Sequence, residues 1–286
     1  MDKDGILGAH KLNIAIWGGF LIFSFLVYML VSNGDFSFLL TYGALMRTFS
    51  FFLLIVRMVM SKSCRGISVK SLEAYAVVFV FRLLSIVRHE GYLPWDKSGD
   101  WFYHVVEISS MGLVSLSLYL TLVRFRNTYD AQTDTFGNLH VPDHLGVVWL
   151  LGPPLVLALL LHPNLNSEFF SDVCWTFAMY LESIAIFPQL YQFQRQAAQK
   201  NFEVEILHAH FVSALGLARI IEMIFWSSSF RELSHSSNST WVGIFVLVAQ
   251  IVHILIMLDF FYYYFNALKS GTPMRLPQHT AGAGMV

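Results

Sequence analysis

The sequence predicts an all-α polytopic membrane protein, and three observations lead to that expectation. Of 286 residues, 56% are hydrophobic and only 13% are charged, with a mean hydropathy of +0.56; soluble globular chains do not have this balance. Apolar stretches of about 20 residues, the length that crosses a bilayer as a helix, recur along the chain. Four arginines, Arg47, Arg57, Arg82 and Arg219, stand inside those stretches, flanked by Leu, Ile, Val, Phe and Met. A charge at that depth is costly unless it meets a partner or a water-filled cavity, so such residues mark a functional interior. The acids available to answer them are Glu107, Asp172, Glu182, Glu222 and Asp259.

About eight spans follow in order. The first, 12–31, is long enough to cross and has no small-residue cleavage site after it, so it reads as a retained helix. The second, 38–60, carries Arg47 and Arg57, and the short third, 71–87, carries Arg82. The fourth, 101–123, holds Glu107. The fifth, 145–161, contains Pro153-Pro154 and the sixth, 169–191, contains Pro188, which predicts kinks of the kind a helical bundle tolerates. The seventh, 206–226, carries Arg219 and Glu222, and the eighth, 241–265, carries Asp259. Residues 269–286 read as a disordered tail, rich in Gly, Pro and small side chains.

Basic residues orient the bundle. With a cytosolic N-terminus, the cytosolic segments hold Lys3, Lys11, Lys62, Arg65, Lys70, Arg124, Arg126, Arg195, Lys200, Lys269 and Arg275, against Arg88, Lys97 and Arg231 opposite. Eleven against three places both termini in the cytosol. Asn238 heads an Asn-Ser-Thr sequon in a loop on the other side, as a glycosylation site requires. A faint repeat is also present: Arg82 comes fourteen residues after Ser68, and Arg219 fourteen after Glu205. Two three-helix units of the same orientation, joined by an inverting helix, generate that pattern.

A net charge of -1 without a long basic run gives no nucleic-acid partner. Cys64 and Cys174 form no CxxC motif and belong to different membrane depths, so they read as free thiols. No nucleophile–base pair, metal-ligand set or phosphate loop emerges; the chain is expected to be no enzyme and to need no cofactor or metal.

Several strings then resemble the KDEL receptor family, the ER lumen protein-retaining receptors. They are Ser63 to Ser71, Thr128-Tyr129-Asp130 with Asp134-Thr135-Phe136, the specific run from Trp175 to Leu190, His210 with Ala214-Leu215-Gly216 and Arg219, and Asp259 to Tyr262. The resemblance covers about residues 38–270. It implies an N-terminal tail with an extra helix over 1–35, a seven-helix core over 36–268 similar to that of the KDEL receptors and PQ-loop proteins, and a cytosolic tail over 269–286. It further implies a multi-pass protein of the endoplasmic reticulum and Golgi membrane. Its partners would be luminal proteins with acidic C-terminal Lys/His-Asp-Glu-Leu tails, the lipid bilayer, and vesicle coat proteins at the cytosolic loops.

Residue by residue, Arg82 and Arg219 match the family's two deep arginines, Glu182 its buried Glu, Asp172 an acid near the luminal mouth and Trp226 a cavity tryptophan. Asp259 matches an acid needed for recycling, and Lys269 with Arg275 is what remains of a basic tail. Departures are equally specific. Arg47 stands where the family has a titrating histidine, Leu40 where it has an arginine, and Leu83 and Ser85 replace a Tyr and an Asp. On the seventh span, Ala218, Glu222 and Phe225 replace two ligand-contacting tyrosines and an asparagine. The expected ligand-binding set is Arg47, Arg82, Asp172, Glu182, Arg219, Glu222 and Trp226, with Asp259 and Lys269 serving trafficking.

Plainer readings stand beside these. Arg47, Arg82 and Arg219 either line a cavity or belong to a structural ion-pair network with Glu182 and Glu222. Arg57, near its span's end, reads as snorkelling to the headgroups. His208 and His210 read as structural, whereas His253 can titrate near neutral pH if paired. Alternatives to a receptor are a transporter of a small polar solute, similar to SWEET and PQ-loop carriers, and a receptor-like scaffold that has lost tail binding.

Overall fold

The computed structural model describes residues 3–32, 36, 38–87, 100–138, 141–142, 145–164, 168–198, 202–231, 234 and 240–277. Within them the chain runs as α1 (Lys3–Val31), α2 (Phe38–Ser61), α3 (Val69–Ile86), α4 (Asp100–Tyr119), α5 (Val148–Leu160), α6 (Phe169–Ile184), α7 (Phe187–Ala197), α8 (Ile206–Ser228) and α9 (Thr240–Ser270). A π-helical turn, Leu120–Arg124, prolongs α4. No strand occurs among the described residues.

Six segments are long and apolar enough to cross a membrane: His10–Val31, Phe38–Ser61, Trp101–Arg124, Phe169–Ala197, Ile206–Ser228 and Thr240–Ser270. The two expected spans outside that set have identifiable reasons. Helix α5 is apolar but short, and stays helical through Pro153 and Pro154. Helix α3 spends part of its length on Lys70, Glu73 and Arg82, and keeps Lys70 and Arg82 on its buried side.

The sixth expected span proves to be two helices. Pro188 has no N–H to continue the ladder, so α6 stops at Ile184 and α7 restarts around the proline. The carbonyls freed by this break are answered by other helices, as burial demands. Ser71 Oγ donates to Ala185 O, and His253 Nδ1 lies 3.0 Å from Ser183 O and 3.3 Å from Glu182 O. Since both partners are acceptors, Nδ1 carries the proton. His253 is thus a structural donor at the break.

Packing follows the exchange expected of two three-helix units, α2-α3-α4 and α6/α7-α8-α9, with α5 between them. The first helix of each unit packs on the second helix of the other, α2 on α8 and α3 on α6; α3 with α4 is mirrored by α8 with α9, and α2 with α4 by α6 with α9. Gly216 permits the close α8–α9 approach, because a Cβ there would stand 2.6 Å from the Phe261 ring. Helix α1 lies outside, touching only α2 and α9 to any extent, with Ile14, Ile22 and Leu30 facing outward.

Three of the strings that carried the family resemblance, Ser63 to Ser71, Thr128 to Phe136 and the end of the Trp175–Leu190 run, form a polar clamp where α2, α4 and α6/α7 meet their loops. Asp134 accepts from Ser68 Oγ at 2.8 Å, Val69 N at 2.9 Å and Tyr129 OH at 2.7 Å, which ties the loop to the N-terminus of α3. Gln189, following Pro188, accepts from Ser68 N at 3.0 Å and donates to Gly66 O at 2.7 Å. Gly66 occupies the left-handed region with φ 84°. Cys64 N donates to Thr128 Oγ1 at 2.9 Å. Burial pushes the Cys64 thiol up, and burial next to Asp134 pushes the Tyr129 phenol up, so both stay protonated. Cys64 and Cys174 are buried thiols, neither of them in a disulfide.

Arg57 belongs to this clamp and does not snorkel. Its side chain is buried, pairs with Glu205 at 2.7 and 2.9 Å, and donates to Ser63 O and Arg65 O at 3.1 and 2.8 Å. The tail read as disordered from residue 269 is also corrected in its first part. It is helical to Ser270, then Met274 pairs with Val204 and Arg275 with Glu203 at 2.5 Å. Residues 278–286 lie outside the described residues.

Candidate functional site

Six helices deliver one charged cluster to the middle of the bundle. Arg47 on α2 donates through Nη1 to Glu182 Oε1 at 2.7 Å and Glu222 Oε1 at 3.0 Å, and through Nη2 to Glu107 Oε1. Arg82 on α3 donates through Nη2 to Glu182 Oε2 and reaches Glu107 Oε1 at 3.5 Å through Nη1. Arg219 on α8 meets Glu182 Oε2 at 2.8 Å through Nη2, and Glu222 Oε2 at 2.8 Å and Gln250 Oε1 at 3.3 Å through Nη1. Glu107 comes from α4, Glu182 from α6 and Gln250 from α9. All seven side chains are buried.

The cluster respects the repeat. Arg82 and Arg219 occupy the second helix of each unit and converge on the same Glu182 oxygen. Three guanidinium groups stand against three carboxylates, which leaves no net charge, and each charge has an opposite within hydrogen-bond range, as survival at this depth demands. Arg47 also lies over the Phe79 ring at 5.4 Å. The cluster depends on one absent side chain: a Cβ on Gly43 would come within 2.8 Å of Glu222 Cγ, so only glycine lets Glu222 cross to Arg47.

Some polar capacity is unspent. Arg47 Nε and Arg82 Nε are buried without a hydrogen-bond partner. The arrangement can thus hold one more acceptor at the arginines, or exchange one carboxylate for another. It contains no nucleophile aligned with a base, and no group of three or more His, Cys, Asp or Glu able to hold a metal occurs among the described residues.

Of the expected binding residues, Arg47, Arg82, Glu182, Arg219 and Glu222 are brought together. Trp226 lies one turn beyond Glu222, edge-on to Trp175 at 5.3 Å. Asp172 is buried in the first turn of α6, ten residues before Glu182 and so about 15 Å along the helix from it. Asp259 is exposed and lines a small groove with Tyr191 and Leu276 far from the cluster; Lys269 is exposed in the last turn of α9. Asn238 lies outside the described residues. Three members were not in the expected binding set. Glu107 was signalled as a lone acid in an apolar helix, Gln250 only as a buried polar residue in an apolar run, and Gly43 by nothing in the sequence.

The sequence profile of the family described as ER lumen protein retaining receptor matches residues 63–229, from the clamp to the end of α8. The ER lumen protein-retaining receptor of Petunia hybrida is 32% identical over 226 residues, covering 76% of this chain and 87% of its own. That of Drosophila melanogaster is 29% identical over 236 residues, covering 82% of this chain and 96% of its own. The erd-2.1 receptor of Caenorhabditis elegans is 32% identical over 212 residues, or 74% of this chain and 84% of its own. The chain belongs to the ER lumen protein-retaining receptor family. In this member of the receptor family the matched segment supplies Arg82, Glu107, Glu182, Arg219 and Glu222, while Arg47 comes from α2 before it and Gln250 from α9 after it. Helix α1 also lies outside that segment.

Proposed function

We propose that this chain is a membrane receptor that binds the acidic C-terminal tails of luminal proteins and returns them to the endoplasmic reticulum. The observation that carries the reading is the convergence of Arg82 and Arg219, from equivalent helices of the two repeats, on one carboxylate. A guanidinium donates paired hydrogen bonds to a carboxylate, and a free C-terminus is such a group. Here the incoming carboxylate exchanges places with one already present; Glu222, held by Arg47 and Arg219, is the one whose departure frees Arg219 while Glu182 stays on all three arginines. Asp172, at the opposite end of α6 from the clamp, meets the ligand's basic residue, and Trp226 lines the approach. Both termini face the cytosol, where Asp259 and Lys269 serve recycling through coat proteins, and Asn238 faces the lumen.

A thermal-shift titration with HDEL, KDEL and C-terminally amidated peptides tests this reading. Acid peptides should raise the melting temperature and amides should not. Arg82→Ala or Arg219→Ala should weaken binding about ten- to a hundredfold, the loss of one desolvated charge-assisted contact of roughly 1.5–3 kcal/mol. Equal affinity for acid and amide would exclude the carboxylate exchange. The electrical neutrality of the cluster, in which each charge already has an opposite, favours one second reading, a receptor-like scaffold that no longer binds tails; its signature is a folded protein that no peptide shifts.

A further inference from the structure

A cavity of about 630 Å³ opens at the clamp end of the bundle, between α1, the start of α8 and the end of α9. That volume is in the range of ligand cavities, about 300–1,000 Å³. Leu12, Ile206, Leu268 and Met274 make it largely apolar. Its polar floor is a chain of hydrogen bonds with one direction. Trp17 Nε1 can only donate, and does so to Tyr264 OH at 3.0 Å. Asn13 Oδ1 can only accept, at 2.9 Å from His210 Nε2, so that nitrogen carries the proton. His210 Nδ1 is then the acceptor for Tyr264 OH at 2.7 Å. The chain therefore ends on the amide Nδ2 of Asn13, a side chain 9% exposed that lines the cavity and makes no other hydrogen bond among the described residues. A polarised donor is left pointing at an apolar space.

Position and charge define the occupant. Asn13 stands in the first turn of the membrane-capable part of α1 and Leu268 in the last turn of α9. The cavity thus lies where the hydrocarbon core gives way to the headgroup region, the depth of lipid ester groups. The two acids at its rim are already neutralised, Glu203 by Arg275 and Glu205 by Arg57. Among the described residues, no lysine or arginine lines the cavity to attract an anionic head.

We propose that this cavity holds one glycerolipid without net charge, its acyl chain along the apolar wall and an ester carbonyl accepting from Asn13 Nδ2. The lipid joins the peripheral α1 to the seven-helix core, and the proposal stands independently of tail binding.

The test uses the purified full chain, stripped of lipid in detergent and incubated with phosphatidylcholine or phosphatidylserine of identical acyl chains. Native mass spectrometry counts the lipid retained, and a photoreactive phosphatidylcholine maps its position. One phosphatidylcholine should be retained, preferred over phosphatidylserine by about fivefold, with label on peptides carrying Asn13 or Leu268. Asn13→Leu removes the donor at similar size, and Ala267→Trp fills the cavity while leaving the hydrogen-bond chain intact; both should lose the bound lipid. Should Asn13→Leu unfold, Ala267→Trp and the label position decide alone. Undiminished retention in Ala267→Trp, label elsewhere on the bundle, or equal uptake of the anionic lipid would overturn the proposal.

Discussion

At the loop end of the bundle, buried charges are answered by backbone and by neighbouring loops; at its centre they are answered by one another, across helices far apart in sequence. Asp134 has Ser68, Val69 and Tyr129 as donors, and Arg57 has Glu205 and two carbonyls. Those groups are saturated. Asp134 and Arg57 are thereby fixed, although Gln192 Oε1, Gln196 Oε1 and His208 Nε2 around them are buried without a hydrogen-bond partner. In the centre, Arg47 and Arg82 keep unpartnered Nε atoms. The division follows the sequence only in part: the centre joins Arg82, Glu182 and Arg219, which match the family, to the departures Arg47 and Glu222.

The largest effect that can break this contrast comes from Glu182, which touches all three arginines. Glu182→Gln leaves three buried cations against two carboxylates and should destabilise the fold by about 3–5 kcal/mol, the cost of uncompensated buried charge. Adding Arg47→Met restores neutrality and should recover part of that loss, a coupling that thermal unfolding of the single and double variants measures. Strict additivity would mean that the cluster is not one electrostatic unit.

Asp134→Ala attacks the clamp instead. It strands Ser68 Oγ, Val69 N and Tyr129 OH at a helix start, and should cost about 2–4 kcal/mol. No second substitution in the centre should rescue it. Rescue by Arg47→Met would show that the two regions are not separate.

How much of this was legible in the sequence differs between the same two regions. Element ends set by apolar length were readable: 38–60 became Phe38–Ser61, and 206–226 became Ile206–Ser228. The break at Pro188 was readable only as a kink, because its completion depends on Ser71 and His253, far away in the chain. Arg57 was misread because distance from the span's end says nothing of the loop that folds back over it. In the centre, the ion-pair reading was available from Arg219 and Glu222 at i,i+3. Glu107 was not placed, since matching its depth to Arg47 requires the packing of α4 on α2. Gly43 was invisible because its role is to leave room for another helix's side chain.

Glu222 sharpens the comparison at lower energy. If tails bind by exchange with this carboxylate, Glu222→Gln releases Arg47 and Arg219 from a competing anion. Affinity for an acid tail should rise about five- to tenfold, the equivalent of roughly 1–1.4 kcal/mol, while stability falls. A titration calorimetry series on wild type and variant reads both. A drop in affinity would make Glu222 a ligand partner in its own right, and the exchange picture would fail.

The smallest expected effect is one of pH. Where the resemblance places a titrating histidine, this chain has Arg47, whose guanidinium stays charged throughout the physiological range. It faces Glu107, Glu182 and Glu222, with Arg82 and Arg219 sharing those acids. The contacts that a histidine would make only when protonated are therefore made at every pH. His253 does not replace the switch, since its Nδ1 proton is engaged at the helix break. Tail affinity should change by less than about twofold between pH 5.5 and 7.4. Arg47→His should weaken binding at the higher pH and restore a slope across the interval. Such a receptor would hold cargo equally well in the Golgi and the endoplasmic reticulum, so its release has to come from exchange with Glu222 or from a role in which cargo stays bound. A steep dependence already present in wild type would place the proton switch on one of the three glutamates, and the contrast between a fixed clamp and an exchangeable centre would then extend to protons as well as carboxylates.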